Sequence, residues 1–136
     1  MIDPILQVLV NNGYVDEAGA QDLQDLAKTE SKRVRQLVID QGIVSEDDLL
    51  ACIAADNDTE AIDLANLTIE TEVTEAIPAS TARMYNVFPV ASDESSVTLA
   101  TFDLVDPRIN DEMMFTLSKE VKFVFAREKD VMDRIS

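Results

Sequence analysis

The chain has 136 residues, of which 46% are apolar and 28% charged, with a formal net charge of −16. It is long enough to bury a core, as one domain or two small subdomains, and its composition is neither disordered nor fibrous. No apolar run is long enough to span a bilayer, and such an acidic surface repels phosphate backbones and anionic headgroups, so nucleic acid and membrane insertion are not expected; the charge suits a basic protein partner, or serves solubility alone with no charged partner.

The residue inventory also speaks against catalysis. There is no histidine, the commonest general base and metal ligand, and the single cysteine, Cys52, can form neither a zinc cluster nor an internal disulfide. Gly13, Gly19 and Gly42 are the only glycines, and none opens a phosphate loop or a dinucleotide fingerprint. Asp56-Asn57-Asp58 starts like a calcium loop but lacks its glycine and closing glutamate, and reads as a turn. The expectation is a protein that is not an enzyme, with no catalytic residues, no metal and no cofactor. Cys52, among Leu49, Leu50, Ile53 and Ala54, reads as a small buried core residue. Met1-Ile2-Asp3-Pro4 lacks the basic start and apolar stretch of a secretory signal, which points to the cytosol.

In chain order, the first sixty residues read as helical. Ile5, Leu6, Leu9 and Val10 form an apolar stripe that Asn12-Gly13 ends in the manner of a left-handed cap. Asp16 is an N-cap candidate for a helix carrying Leu23 and Leu26, whose pattern continues through Val34, Leu37, Val38 and Gln41 to Gly42. Ser45-Glu46-Asp47-Asp48 resembles a capping box that opens a helix through Leu49, Leu50 and Ile53. Two stretches repeat: Gln7 to Glu17 aligns with Gln36 to Glu46, each giving a helix, a glycine cap, two apolar residues, an N-cap and a second helix. Neither unit can cover its own apolar face, so the two are expected to pack together.

Residues 54–62 form a polar break, which sets the expected subdomains at 1–58 and 59–136. Ile62-Asp63-Leu64 reads as an edge strand or an extended linker. Thr74 to Ile77 and Pro78 to Asn86 read as a helical pair. Val87–Ala91 and Val97–Thr101 read as an antiparallel hairpin, with Pro89 marking the first as an edge or irregular strand. A helix over Arg108 to Leu117, a third strand over Val121–Phe125 and a last helix over Arg127 to Ile135 complete the chain. The fold class is α+β: a helical subdomain of two helix–Gly–helix units, then a small three-stranded α/β subdomain.

Laid out this way, the chain resembles the N-terminal region of type II secretion and type IV pilus assembly ATPases, an MshEN-like region. The residues that carry the resemblance are Ile62-Asp63-Leu64, the run from Ala76-Ile77-Pro78 through Ala82-Arg83 and Tyr85-Asn86-Val87 to Pro89-Val90, the strand Val97-Thr98-Leu99-Ala100, and the spacing from Asp103 to Phe125. Leu104 stands where that family usually has proline, and Ser118 where it usually has glycine. The resemblance implies a non-catalytic docking and regulatory domain, because the family's catalytic motifs lie in a later domain. It further implies two partners: the cytoplasmic domain of an inner-membrane platform protein, and the chain's own ATPase domain if it belongs to a longer protein. The location implied is cytoplasmic, peripheral to the inner membrane through that partner. A monomer is expected, since the family's ring is assembled mainly by the motor domain. A stand-alone cytosolic adaptor is the alternative of a different class.

Part of that family binds cyclic di-GMP through two tandem RLGxxLVxxG motifs, and the repeat occupies their place. In the second copy Arg33, Val38, Ile39 and Gly42 fit, while Val34 replaces leucine and Arg35 the first glycine. In the first copy Leu9, Val10 and Gly13 fit, while Pro4, Ile5 and Leu6 replace arginine, leucine and the first glycine. The residues missing are the ones with a ligand-specific purpose: guanidinium for phosphate or guanine, and glycine for close approach of a base. Arg33, Arg35, Val38, Gly42, Leu9 and Gly13 therefore stand as the candidate dinucleotide or anion site, beside a basic island of Lys28, Lys32, Arg33 and Arg35. A protein partner is favoured over the dinucleotide.

Overall fold

A computed structural model describes residues 2–136. The chain forms two compact units, one running through Asp58 and the other from Thr59 to Ser136.

The first unit consists of α1 (Pro4–Asn11), α2 (Glu17–Glu30), α3 (Val34–Asp40) and α4 (Glu46–Asp56). Its two repeats close with the same backbone chemistry. The Tyr14 N–H donates to the Leu9 carbonyl at 2.9 Å, and the Ile43 N–H donates to the Val38 carbonyl at 3.0 Å. Between donor and acceptor in each case lies a left-handed glycine, Gly13 at φ +79° and Gly42 at φ +70°. This pattern satisfies the last carbonyls of each helix, and it needs φ > 0, which glycine adopts without steric cost. The next helix then opens on a side-chain cap: Asp16 accepts from the Gly19 N–H at 2.7 Å, and Ser45 from the Asp48 N–H at 3.1 Å. Leu6, Leu9, Leu37, Val38, Leu49 and Ile53 are fully buried, so the apolar stripes face inward.

The helix expected to run on to Gly42 is interrupted. Ser31 adopts φ +54°, ending α2, and the Lys32 N–H bonds back to the Ala27 carbonyl at 3.0 Å. Leu23 and Val34 do not lie on one continuous stripe; α3 is a separate helix of its own. Burial of Leu37 and Val38 outweighs the cost of a left-handed serine, on the order of 1 kcal/mol. Asp56-Asn57-Asp58 ends α4 in a turn, with Asn57 as its cap.

The second unit is built on β1 (Phe88–Ser92), β2 (Ser96–Thr101) and β3 (Glu120–Phe125), in the order β1-β2-β3. β1 and β2 are antiparallel, with a register shift between Pro89 and Ala91, as suits a proline on an edge strand. β2 and β3 are parallel and connected through α7 (Pro107–Leu117). Asp106 caps α7, Pro107 takes its first position, and Ser118 ends it at φ +54°. The left-handed site after α7 thus carries serine where glycine is easier to place.

Central β2 is packed on both faces. Val97 and Leu99 join Ile77, Val87, Met113 and Val121, while Ala100 joins Leu64, Phe102, Val124 and Val131. The first cluster is covered by α7 and by α6 (Ala79–Tyr85); the second by α8 (Glu128–Ile135) and a 3-10 turn at Leu64–Asn66. Arg134 of α8 donates to the carbonyls of Leu64 and Leu67, fixing that turn. Ahead of it, Ala61 makes a single parallel bridge to Phe125, so 62–64 form no strand beyond that contact. The short helix before α6 is α5 (Thr71–Thr74), and Pro78 caps α6 instead of entering its first turn. The helix expected over 74–77 lies earlier, ending at Thr74, and 75–77 form a turn, because a residue preceding proline is pushed out of helical geometry.

Candidate functional site

In the helical unit, the start of α1, the end of α2 and the start of α3 enclose a groove of about 610 Å³. Ile2, Pro4, Ala27 and Val34 supply its apolar surface, and Lys28, Lys32 and Arg33 its cations. Asp3 and Gln24 also line it: the Gln24 side chain accepts from the Asp3 N–H at 2.6 Å, and the Asp3 carboxylate caps α1 by accepting from the Ile5 N–H at 2.8 Å. The break at Ser31 creates this arrangement. The left-handed turn ends α2 and lets α3 start afresh, so that Lys28 of α2 and Lys32 and Arg33 of the turn line one groove.

The charge distribution of this unit is uneven. Lys28, Lys32, Arg33 and Arg35 are the only basic residues among the first 58, where acidic ones outnumber them three to one. Lys28, Lys32 and Arg33 are exposed at the groove. Lys32 lies 3.4 Å from Asp40, an exposed pair of the kind that contributes little and leaves both charges accessible to water.

Arg35 is placed differently from the rest of the basic island. Its side chain is 3% exposed and donates to Glu46 at 2.7 Å, joining α3 to the first turn of α4. It is a structural tie and does not line the groove. Leu9 and Val38 are wholly buried, and their carbonyls hold the two glycine caps. Gly13 and Gly42 lie at those caps, where an added Cβ would meet no atom within 4 Å. Of the six candidate residues only Arg33 reaches the groove. Pro4 and Arg33, the corresponding arginine positions of the two repeats, do meet there. Ile2, Ala27 and Ser31 carried no signal in the sequence, because nothing in the helical period announced the turn at Ser31.

Cys52 is only partly buried, in contrast to the core position expected for it. It lies on the rim of α4 beside Tyr14, which is 40% exposed. Burial raises the Cys52 thiol above its ordinary value, and the nearby Asp56 carboxylate adds to this. Among the described residues no group of three or more Cys, Asp or Glu side chains is arranged to hold a metal ion, and no helix is long and apolar enough to cross a membrane.

These features define a small α+β module: a helical repeat unit bearing a cation-rimmed groove, followed by a three-stranded unit packed on both faces. Residues 57–136, more than half of the chain, match the family model of the MshEN domain. The chain belongs to the MshEN family, the N-terminal domain of type II secretion and type IV pilus ATPases. A solved structure of MshE with cyclic di-GMP (cdg) is similar over 98% of this chain and 96% of its own, with a TM-score of 0.82 and 23% identity. The N-terminal domain of XpsE is similar over 96% of this chain and 90% of its own, with a TM-score of 0.67 and 18% identity. No curated protein sequence matches the chain.

Proposed function

We propose that this chain is the non-catalytic docking and regulatory front end of a type II secretion or type IV pilus assembly ATPase. In this reading it binds the cytoplasmic domain of an inner-membrane platform protein and couples that contact to the ATPase domain of its own motor. It works in the cytoplasm, held at the inner membrane through that partner. One observation carries the reading: a unit matching the MshEN family is joined in one chain to a helical repeat unit with a cation-rimmed groove. The deciding experiment is co-purification of the chain with the cytoplasmic domain of the platform protein from the same organism. A stable complex supports the reading; no complex with any platform component sinks it.

A second reading has its own specific support. The starts of both repeats, at Pro4 and Arg33, converge on the groove, and MshE in its structure with cyclic di-GMP has a similar fold. Against it stand proline at position 4 and a guanidinium at position 35 that is committed to Glu46. Titration calorimetry with cyclic di-GMP separates the two readings: micromolar binding lost in Arg33→Ala establishes the dinucleotide site.

A further inference from the structure

We infer that the groove between α1, α2 and α3 is the docking point for an acidic segment of the partner protein, in which an apolar side chain is flanked by carboxylates. The inference rests on the docking reading above and names the surface and the chemistry of its contact. The chain as a whole is strongly acidic, which taken alone points to a basic partner. The fold reverses that expectation locally, since the unit's exposed cations gather on the rim of one groove. Acidic residues farther away are largely screened, because the Debye length is about 8 Å at physiological ionic strength. The rim cations, together with Asp3 and Asp40 beside them, therefore set the local field that a docking segment meets.

The lining selects among anions. Pro4, Ala27 and Val34 offer an apolar floor where a leucine- or isoleucine-like side chain loses water, while Lys28, Lys32 and Arg33 receive the flanking carboxylates. A cyclic dinucleotide suits the groove less well. Among the described residues no aromatic side chain lines it for a base to stack on.

The test uses the full chain with short overlapping peptides from the cytoplasmic domain of the platform protein, followed residue by residue by NMR. Peptides combining an apolar residue with flanking Asp or Glu should shift the amides of Lys28, Lys32, Arg33 and Val34. Their Asn/Gln counterparts should bind about tenfold more weakly. The triple variant K28E/K32E/R33E should weaken both peptide and intact domain by a similar factor while retaining its helical circular dichroism, since all three side chains are exposed. If the intact domain binds the triple variant as well as the parent, this inference fails and the docking reading survives. Binding of neutral peptides with equal strength, or amide shifts elsewhere, also overturns it. So does groove binding by cyclic di-GMP with no peptide bound. If the intact domain does not bind at all, the docking reading falls and this one with it.

Discussion

Arg35 and Glu46 form a 2.7 Å ion pair with the arginine 3% exposed, so a guanidinium that the sequence offers as a ligand contact is spent inside the helical unit. Glu46 lies in the first turn of α4, where the helix dipole also favours a carboxylate. Removing Glu46 takes a carboxylate away from a buried guanidinium. Glu46→Ala should destabilise the chain by roughly 2–3 kcal/mol, below the upper range for buried pairs because Glu46 is partly exposed. Arg35→Leu should cost less, since an apolar side chain fills the same buried position. Chemical denaturation of both variants checks the order, and equal losses would contradict it.

Two serines hold left-handed backbone that glycine adopts more easily: Ser31 after α2 and Ser118 after α7, each at φ +54°. Ser118→Gly should raise stability by about 0.5–1 kcal/mol. Ser31→Gly should do the same while leaving Lys28, Lys32 and Arg33 where they are. Thermal melts measure both; a lower Tm for Ser118→Gly would show that the serine hydroxyl holds the turn more firmly than the backbone strain opposes it.

Acid should weaken the hairpin between β1 and β2. Asp93 accepts from the Ser95 N–H at 2.8 Å and the Ser96 N–H at 2.7 Å, and these bonds hold its carboxyl below the usual 3.8. A carboxylate with a lowered folded pKa contributes stability that is present above its unfolded pKa and is lost as pH falls through the folded value. The contribution should therefore begin to fall below about pH 4 and be gone once pH is below the folded value. Asp93→Ala should be less stable than the parent at neutral pH, and the gap should narrow by pH 3 or so. Melting curves across that range test the sign: a gap that widens in acid would refute it.

The Cys52 thiol, raised by burial and by Asp56, should react slowly with iodoacetamide at neutral pH. Its rate should keep climbing as pH passes 9.0, the ordinary value of a thiol. Asp56→Asn should accelerate alkylation modestly at pH 8 or so by easing the neighbouring negative charge. A rate already at its plateau near neutrality would mean that the thiol is activated instead.

What the sequence determined by itself was local and periodic. The glycine caps at Gly13 and Gly42, the N-caps at Asp16 and Ser45, the edge character of Pro89 and the α+β class follow from residues acting on near neighbours. Periodicity and capping report such interactions directly. The tertiary structure decided the rest. No helical period marks Ser31 as a break, because a left-handed serine is unfavourable locally and is held there by the burial of Leu37 and Val38. Nor does any local rule separate Arg35 from Arg33, two cations two residues apart, of which one turns inward to Glu46 and the other lines the groove. Arg33 is the extended N-cap of α3 and Arg35 lies within its first turn, so the two meet different surroundings, and only the packing of α3 beside α2 and α1 and the tie from Arg35 to Glu46 reveal which.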